Sequence, residues 1–211
     1  NNPYGEDNIV FISIYDRNNN KYLENKVEYL DSGEEFFNEL KSAISNEEQF
    51  IFLEYFIIAD GQIWSEILSL LIDKVRQGVE IRVIYDDVGS LGRISTNFHK
   101  KLLKLGIKCV KFNPFRPIIS GIHNNRNHRK IAVIDGKIGF TGGINIADEY
   151  ANLTTPYGEW KDNAIKIEGS AVANLTALFL ETFDSATKEV SDYKRYLHVK
   201  HEKHTNNGYV H

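Results

Sequence analysis

The longest apolar stretch of the chain runs from Phe50 to Ala59, and it constrains the fold more than any other feature. Glu54 is the charged residue that interrupts it. The stretch is too short to span a bilayer, which requires about 18 consecutive apolar residues. A short apolar run without alternation is typical of a strand whose two faces are both covered. The sequence therefore predicts a buried central strand over residues 49–58.

Helical and strand patterns alternate around this strand. Ser32 and Asp60 are placed to cap two helices, and Gly78 stands where a left-handed residue ends a helix. The predicted helices cover residues 32–45, 60–77, 95–105 and 171–186, and the other predicted strands cover 79–85, 107–112, 128–134, 137–141 and 160–168. This alternation predicts an α/β layered fold, in which a mixed β-sheet is flanked by helices on both faces.

Length and composition predict one domain between two flanking segments. A chain of 211 residues with 42% hydrophobic residues can bury a sizeable core. Residues 1–25 form an N-terminal segment with an Asn-rich loop, in which the alternation from Ile9 to Tyr15 predicts an edge strand. Residues 26–187 form the domain, and residues 188–211 form a polar, His-containing tail that we expect to be flexible. Cys109 is the only cysteine, which excludes an internal disulfide.

One predicted strand carries polar residues at a defined spacing. His128, Lys130 and Asp135 follow the pattern H-x-K-x4-D, and Gly142-Gly143-Ile144-Asn145 comes shortly after. Side chains two apart on a strand share a face, so an imidazole would lie beside an ammonium. Each piece also has an ordinary interpretation, because His-x-Lys can be a polar face and the Asp-Gly and Gly-Gly pairs can be turns. The complete set in this order favours chemistry.

An imidazole beside a fixed cation suits attack on a phosphorus ester. With an ordinary pKa near ~6.5, an imidazole can act as a nucleophile or as a general acid at neutral pH. The ammonium of Lys130 can neutralise a non-bridging phosphate oxygen. The motif strand therefore predicts a phosphodiester site.

At these residues the chain resembles the phospholipase D superfamily, whose signature is the H-x-K-x4-D motif with a following G-[GS]-x-N. The resemblance is most specific to the N-terminal catalytic half of bacterial cardiolipin synthases, and it covers roughly residues 26–187. The segments that carry it, in the family's order and spacing, are Glu54–Ile58, Gly78–Val83 with Asp86, Asn124–Lys130, Phe140–Tyr150 and Tyr157–Asp162.

The resemblance implies a mechanism of two in-line displacements through a phosphohistidine, with no metal and no other cofactor. His128 would be the nucleophile, and Lys130 would hold the phosphate oxygens. The other residues expected to bind the phosphate are Asn145, Gly142, Gly143 and Arg126.

Three carboxylates accompany this set. The resemblance nominates Asp162 to hydrogen-bond the second nitrogen of His128, the role that a buried carboxylate plays in hydrolytic triads. Glu159 is the alternative for that role. Asp135 is expected to be structural, because it closes the hairpin and can pair with a nearby cation.

The implied activity is phosphatidyl transfer between two molecules of phosphatidylglycerol at a membrane surface, with release of glycerol. One motif supplies half of such a site, so the second would come from elsewhere in a longer chain or from a homodimer partner. The absence of methionine, including at position 1, indicates a fragment. Without a second motif from either source, we expect it to be nearly inactive. We expect the full-length protein to lie at the cell membrane.

Two other functions stay open from the sequence. A phospholipase D-type hydrolase or a nuclease would use the same residues, although a formal net charge of −4 counts against a nucleic-acid partner. A non-catalytic module that binds phosphate or anionic lipid head groups is the alternative from another class. It would not need a poised nucleophile.

The tail contains His198, His201 and His204 at three-residue spacing. Such spacing can bring imidazoles together at a metal, but a polar tail without core residues favours a solvated segment. Two His-x-Lys pairs in this tail lack the Asp that would complete the motif, so the chain carries one motif.

Overall fold

The computed structural model describes residues 9–16, 21–46, 49–114, 127–156 and 158–197. Within these ranges the chain forms an eight-stranded sheet. The strands are β1 (Ile9–Asp16), β2 (Lys21–Leu30), β3 (Phe50–Tyr55), β4 (Glu80–Asp86), β5 (Lys108–Phe112), β6 (Ile131–Ile134), β7 (Ile138–Gly142) and β8 (Ala164–Gly169). The helices are α1 (Gly33–Asn46), α2 (Gln62–Arg76), α3 (Phe98–Lys104), α4 (Val172–Thr187) and α5 (Tyr193–Leu197), with a 3-10 helix at Asp148–Ala151.

The sheet is mixed, as predicted, and its strand order is β1-β2-β8-β7-β6-β3-β4-β5. β3, β4 and β5 pair in parallel, and the other neighbours pair antiparallel. β1 lies at one edge of the sheet, where the alternation from Ile9 to Tyr15 predicted an edge strand. β6 and β7 form the predicted hairpin.

Two hydrophobic cores lie on opposite faces of the sheet, so the prediction of helices on both faces is confirmed. On β3, Ile51 and Leu53 pack into the core that α1, α2 and α3 cover. Phe50 and Phe52 point the other way and pack with α4 and α5, where the Phe52 ring stacks on Phe179 at 4.6 Å. Alternate residues of one strand thus enter two cores, which explains why this stretch is apolar apart from Glu54.

The motif strand is shorter than predicted. β6 begins at Ile131, whose partner on β3 is Glu54, one residue before β3 ends. The segment 127–130 therefore extends past the end of its neighbour and has no strand ladder. His128 and Lys130 lie in this extension.

The caps of the first two helices differ in origin. Ser32 Oγ accepts a hydrogen bond from the Glu35 amide at 3.2 Å, so α1 has the predicted cap. The cap predicted from Asp60 for α2 is wrong. Asp148 caps α2 instead, because its two carboxylate oxygens accept from the Gln62 and Ile63 amides, each at 2.9 Å.

The described residues extend the packed domain beyond both predicted boundaries. β2 runs through the boundary at residue 25, and Asn25 is fully buried. Past residue 187, Tyr196 is 3% exposed, and its hydroxyl accepts a hydrogen bond from Arg82 at 2.9 Å. The boundary at 187 therefore falls too early, because an aromatic side chain of α5 belongs to the second core. Residues 198–211, which include His198, His201 and His204, lie outside the described ranges.

Candidate functional site

Five strands bring residues to the same end of the sheet, where each strand begins or ends, and we call this end the motif edge. β3, β4 and β7 run in one direction and β6 and β8 in the other, so three carboxyl ends meet two amino ends there. The residues at the motif edge are Phe56 after β3, Asp86 on β4, 127–130 before β6, 142–145 from the end of β7, and Asp162 before β8.

His128 is exposed at this edge and stacks on an aromatic ring. Its ring centroid lies 4.1 Å from that of Phe56, and the two planes are 22° apart. Phe56 in turn lies against Gly89, where a β-carbon would stand 2.3 Å from the Phe56 carbonyl oxygen and 2.8 Å from its ring. The lone pair of an imidazole nitrogen lies in the ring plane, so the stacking holds one face of the ring without covering the nitrogen that would attack.

Lys130 lies beside His128, as the sequence predicted. Its Nζ donates a hydrogen bond to the His128 carbonyl oxygen at 2.8 Å and stands 5.6 Å from the Phe56 ring centroid. Partial burial lowers the pKa of Lys130, and the negative charge of Asp162 acts in the opposite direction. The site therefore holds a partly desolvated ammonium next to the imidazole and across from a carboxylate.

Asp162 is half-buried and is held against a glycine. A β-carbon on Gly143 would stand 2.0 Å from the Asp162 Oδ1 atom, so the carboxylate occupies the space that a side chain would need. The same oxygen accepts a hydrogen bond from the Asn163 amide at 2.8 Å. Among the described residues, Asp162 faces Lys130 and makes no hydrogen bond to His128. The role nominated for it at the imidazole stays a prediction.

Asn145 joins two loops of the motif edge. It is 3% exposed, its Oδ1 accepts from the Ile57 amide at 2.9 Å, and its Nδ2 donates to the Tyr150 hydroxyl at 2.7 Å. An amide nitrogen carries two hydrogens, so Tyr150 takes one of the two. Asn145 thus positions the chain after β3 and the chain after β7.

Gly142 is required by the sheet itself. A β-carbon there would stand 2.5 Å from the Asn163 carbonyl oxygen and 2.6 Å from the Cα atom of Ala164. The backbone of β7 therefore approaches β8 more closely than a side chain would permit. Arg126, the remaining residue predicted to bind phosphate, lies outside the described residues.

Asp135 lies at the other end of β6 from His128, away from the motif edge. It is 1% exposed, and its Oδ1 accepts from the Gln49 and Phe50 amides, at 2.9 and 2.7 Å, where β3 begins. Lys137 Nζ stands 3.9 Å from Oδ2. The four residues of β6 separate Asp135 from Lys130 by at least ~13 Å, at ~3.3 Å per residue. The geometry thus agrees with a structural role and excludes contact with the same phosphate.

Several residues of the site had no role in the sequence prediction. Phe56 stacks against the imidazole of His128. Glu54 is buried beneath the segment 127–130 and contacts two of its residues, Asn127 and Arg129. One signal was available, because Glu54 is the single charge in the longest apolar run. Its partners could not be inferred from spacing, since they lie more than seventy residues away along the chain.

Two negative findings apply to the residues that the structure describes. No cluster of three or more His, Cys, Asp or Glu side chains is arranged to hold a metal ion in those ranges. None of the described helices has both the length and the apolar character required to cross a bilayer.

The fold and the placement of the motif define a phospholipase D-like domain. A family model described as "Cardiolipin synthase, PLD-like domain" matches residues 37–185, and the chain belongs to this family. A solved structure of Nuc, a phospholipase D family member from Salmonella typhimurium, superposes with a TM-score of 0.56 at 18% identity. The superposition covers 76% of this chain and 95% of that one. At this identity the likeness concerns the fold.

Two relatives illustrate the similarity in sequence. An uncharacterized protein of Streptococcus mutans is 46% identical over 189 residues, which are 90% of this chain and 41% of that protein. A cardiolipin synthase of Geobacillus kaustophilus is 39% identical over 168 residues, which are 79% of this chain and 33% of that protein. The chain therefore spans between a third and two fifths of the length of these relatives.

Proposed function

We propose that this chain is the motif-bearing part of a cardiolipin synthase, which transfers a phosphatidyl group from one phosphatidylglycerol to another. The observation that carries the proposal is the joint placement of His128 and Lys130 against Phe56 at the motif edge. The similarity to a cardiolipin synthase of Geobacillus kaustophilus supports this choice of substrate.

The first displacement forms a bond between an imidazole nitrogen of His128 and the phosphorus of the donor lipid. The bond from phosphorus to the glycerol oxygen breaks, and glycerol leaves with a proton from a general acid. In the second displacement, the terminal hydroxyl of another phosphatidylglycerol gives its proton to the group that served as general acid and attacks phosphorus. The phosphorus–nitrogen bond then breaks, its electron pair returns to the imidazole, and cardiolipin is released.

Lys130 stabilises the charge that develops on the non-bridging oxygens during both steps. A partly desolvated ammonium interacts with such oxygens more strongly than one in bulk water, because less solvent screens it. Asp162 favours the protonated form of the ammonium, since its negative charge acts against the lowering of the Lys130 pKa by burial. The remaining amide hydrogen of Asn145 and the hydrogen bond from His128 to Asp162 belong to the substrate-bound site that we propose.

The general acid comes from a second motif, supplied either by another part of a longer chain or by a second copy of this one. A nucleophile and a general acid act on opposite sides of an in-line displacement, so one imidazole cannot serve as both. We expect the isolated chain to show little or no turnover unless two copies pair. We also expect the complete protein to act at the surface of the cell membrane.

The test is product analysis with the full-length gene product and radiolabelled phosphatidylglycerol in detergent micelles. Cardiolipin and free glycerol in equal amounts are the expected products. Labelled protein trapped by an alkaline quench and lost on acid treatment would identify a phosphohistidine.

Other products separate the alternatives. Phosphatidic acid without cardiolipin would replace the transferase with a phospholipase D-type hydrolase that uses the same residues. Binding of phosphatidylglycerol with no turnover, in a well-folded full-length protein, would indicate a non-catalytic lipid-binding module and would contradict the proposal.

A further inference from the structure

Glu54 is a carboxylate placed where carboxylates are costly. It lies near the end of β3, is 1% exposed, and points to the same face of the sheet as Phe50 and Phe52. Its Oε2 atom is buried and has no hydrogen-bond partner among the described residues. Burial of a charged group costs several kcal/mol unless partners offset it, so such a residue requires an explanation.

The partners of Glu54 flank the nucleophile on both sides. Asn127 Nδ2 donates a short hydrogen bond to Glu54 Oε1, and Arg129 Nε lies 3.0 Å from the same oxygen. One carboxylate oxygen thus holds the residue before His128 and the residue after it.

These two residues are also joined to each other and to the surrounding elements. Asn127 Oδ1 accepts from the amide of Arg129 at 3.1 Å and from its Nε at 3.2 Å. Arg129 Nη2 donates to Thr182 Oγ1 on α4 at 2.6 Å, and the backbone amide of Asn127 donates to Asp86 Oδ2 at 3.4 Å. The network therefore reaches from β3 to β4 and α4.

Among the residues that the structure describes, no strand pairs with the backbone of this segment. Residues 127–130 precede β6 and lie outside the strand ladder, so no neighbouring strand fixes them. Consecutive side chains of an extended segment point to opposite sides. Asn127 and Arg129 accordingly turn inward to Glu54, and His128 and Lys130 turn outward to Phe56.

From this geometry we propose that Glu54 is a positioning residue, which fixes the backbone on both sides of His128 and thereby aims the imidazole at phosphorus. At residues 127–130, hydrogen bonds from side chains to one buried oxygen take the place of the strand pairing, which begins only at Ile131. The role in catalysis rests on the function proposed above, whereas the anchoring of His128 does not.

The charge state of Glu54 and the strength of its contacts with Asn127 and Arg129 depend on each other. Burial raises the pKa of Glu54, and the hydrogen bond from Asn127 and the charge of Arg129 act in the opposite direction. Removal of Arg129 therefore weakens the anchor twice, because one bond is lost and the remaining carboxyl is more readily protonated.

The test compares Glu54→Gln with Glu80→Gln in the full-length protein. Glu80 is a matched control, because its carboxylate also pairs with an arginine, Arg82, but at the opposite end of the sheet. A misplaced nucleophile loses rate in the chemical step, so we expect kcat to fall about 10- to 100-fold in Glu54→Gln with KM within about twofold. We expect kcat in Glu80→Gln to stay within about twofold of the parent.

A second pair of variants covers the case in which Glu54→Gln does not fold. The Arg129 side chain is 40% exposed, so its replacement leaves no large cavity. Arg129→Met should reproduce the loss of kcat, and Arg129→Lys should recover part of it. Unchanged kcat in stably folded Glu54→Gln, or in Arg129→Met, would overturn the positioning role.

A measurement without substrate separates this proposal from the proposed function. The Cε1–Hε1 NMR signal of His128, assigned by its loss in His128→Asn, should carry a ring-current shift from Phe56. We expect that shift to shrink in Glu54→Gln and to persist in Glu80→Gln. If the parent protein turns over no phosphatidylglycerol but the shift responds in this way, the proposed function fails and the anchor stands. An unaltered shift in Glu54→Gln would overturn the anchor regardless of activity.

Discussion

The two ends of strand β6 use polar side chains in opposite ways. Before the strand, His128 is exposed, contacts Phe56 through one ring face, and lies in a segment without a strand ladder. After the strand, Asp135 is 1% exposed and is bound by two backbone amides and a lysine. The first end presents its polar side chains to solvent, and the second end binds its carboxylate within the fold.

The H-x-K-x4-D pattern is therefore continuous in sequence but divided in the structure between the two ends of β6. Four buried strand residues separate His128 and Lys130 from Asp135, so the two parts cannot contact one phosphate. Asp135 instead joins the end of β6 to the beginning of β3, through the Gln49 and Phe50 amides. The spacing between Lys130 and Asp135 therefore matches the length of β6.

The largest expected effect comes from the exposed end. His128→Ala removes the atom that would bond to phosphorus, so we expect cardiolipin formation to fall at least ~1,000-fold in the full-length protein. The free energy of unfolding should change by no more than about 1.5 kcal/mol, since the ring gives up one aromatic contact. Product formation and urea unfolding measure the two quantities. Retained turnover in His128→Ala would remove the phosphohistidine mechanism.

The buried end should respond in the opposite way. Asp135→Ala leaves the Gln49 and Phe50 amides without their acceptor, and each unsatisfied buried group costs about 1–3 kcal/mol. We expect the free energy of unfolding to fall by about 2–5 kcal/mol, as measured by urea denaturation. The folded fraction, assayed below the melting temperature, should keep its kcat within a few-fold. A stable Asp135→Ala protein with abolished turnover would show that the two ends are not separate.

How much of the structure the sequence predicts depends on how far apart along the chain the interacting residues lie. The alternation of periods predicted the layered fold, and the motif predicted that His128 and Lys130 lie together, because these are local patterns. Three features depend on side chains that meet across the fold: the Asp148 cap of α2, the contact of Arg82 with Tyr196, and the anchor of Glu54. Such contacts leave no periodic pattern in the sequence. Asp60 stands at the position expected of a cap, but the fold places Asp148 against the first amides of α2 instead.

A smaller effect concerns pH at the exposed end. Lys130 must be protonated to neutralise phosphate oxygens, so activity should be lost as pH rises through its pKa. Burial lowers that pKa and Asp162 raises it, so Asp162→Asn should lower it further. We expect the alkaline limb of the pH profile of kcat/KM to move to lower pH in this variant. Asp73→Asn, on the outer surface of α2 with a side chain 58% exposed, is the control and should leave the limb in place. A limb that stays fixed in Asp162→Asn would mean that another group sets it.

The smallest effect that we predict tests the support beneath the imidazole. Phe56→Leu keeps an apolar side chain next to Gly89 but removes the ring that stacks on His128. An aromatic contact of this kind contributes about 0.5–1.5 kcal/mol, which corresponds to a fall of roughly 2- to 13-fold in kcat/KM if the contact also orients the reacting ring. Phe56→Tyr retains the ring and should restore most of the rate. Equal rates for Phe56→Leu and the parent would mean that the Glu54 anchor alone positions His128. The exposed end would then resemble the buried end, because a buried carboxylate would fix both.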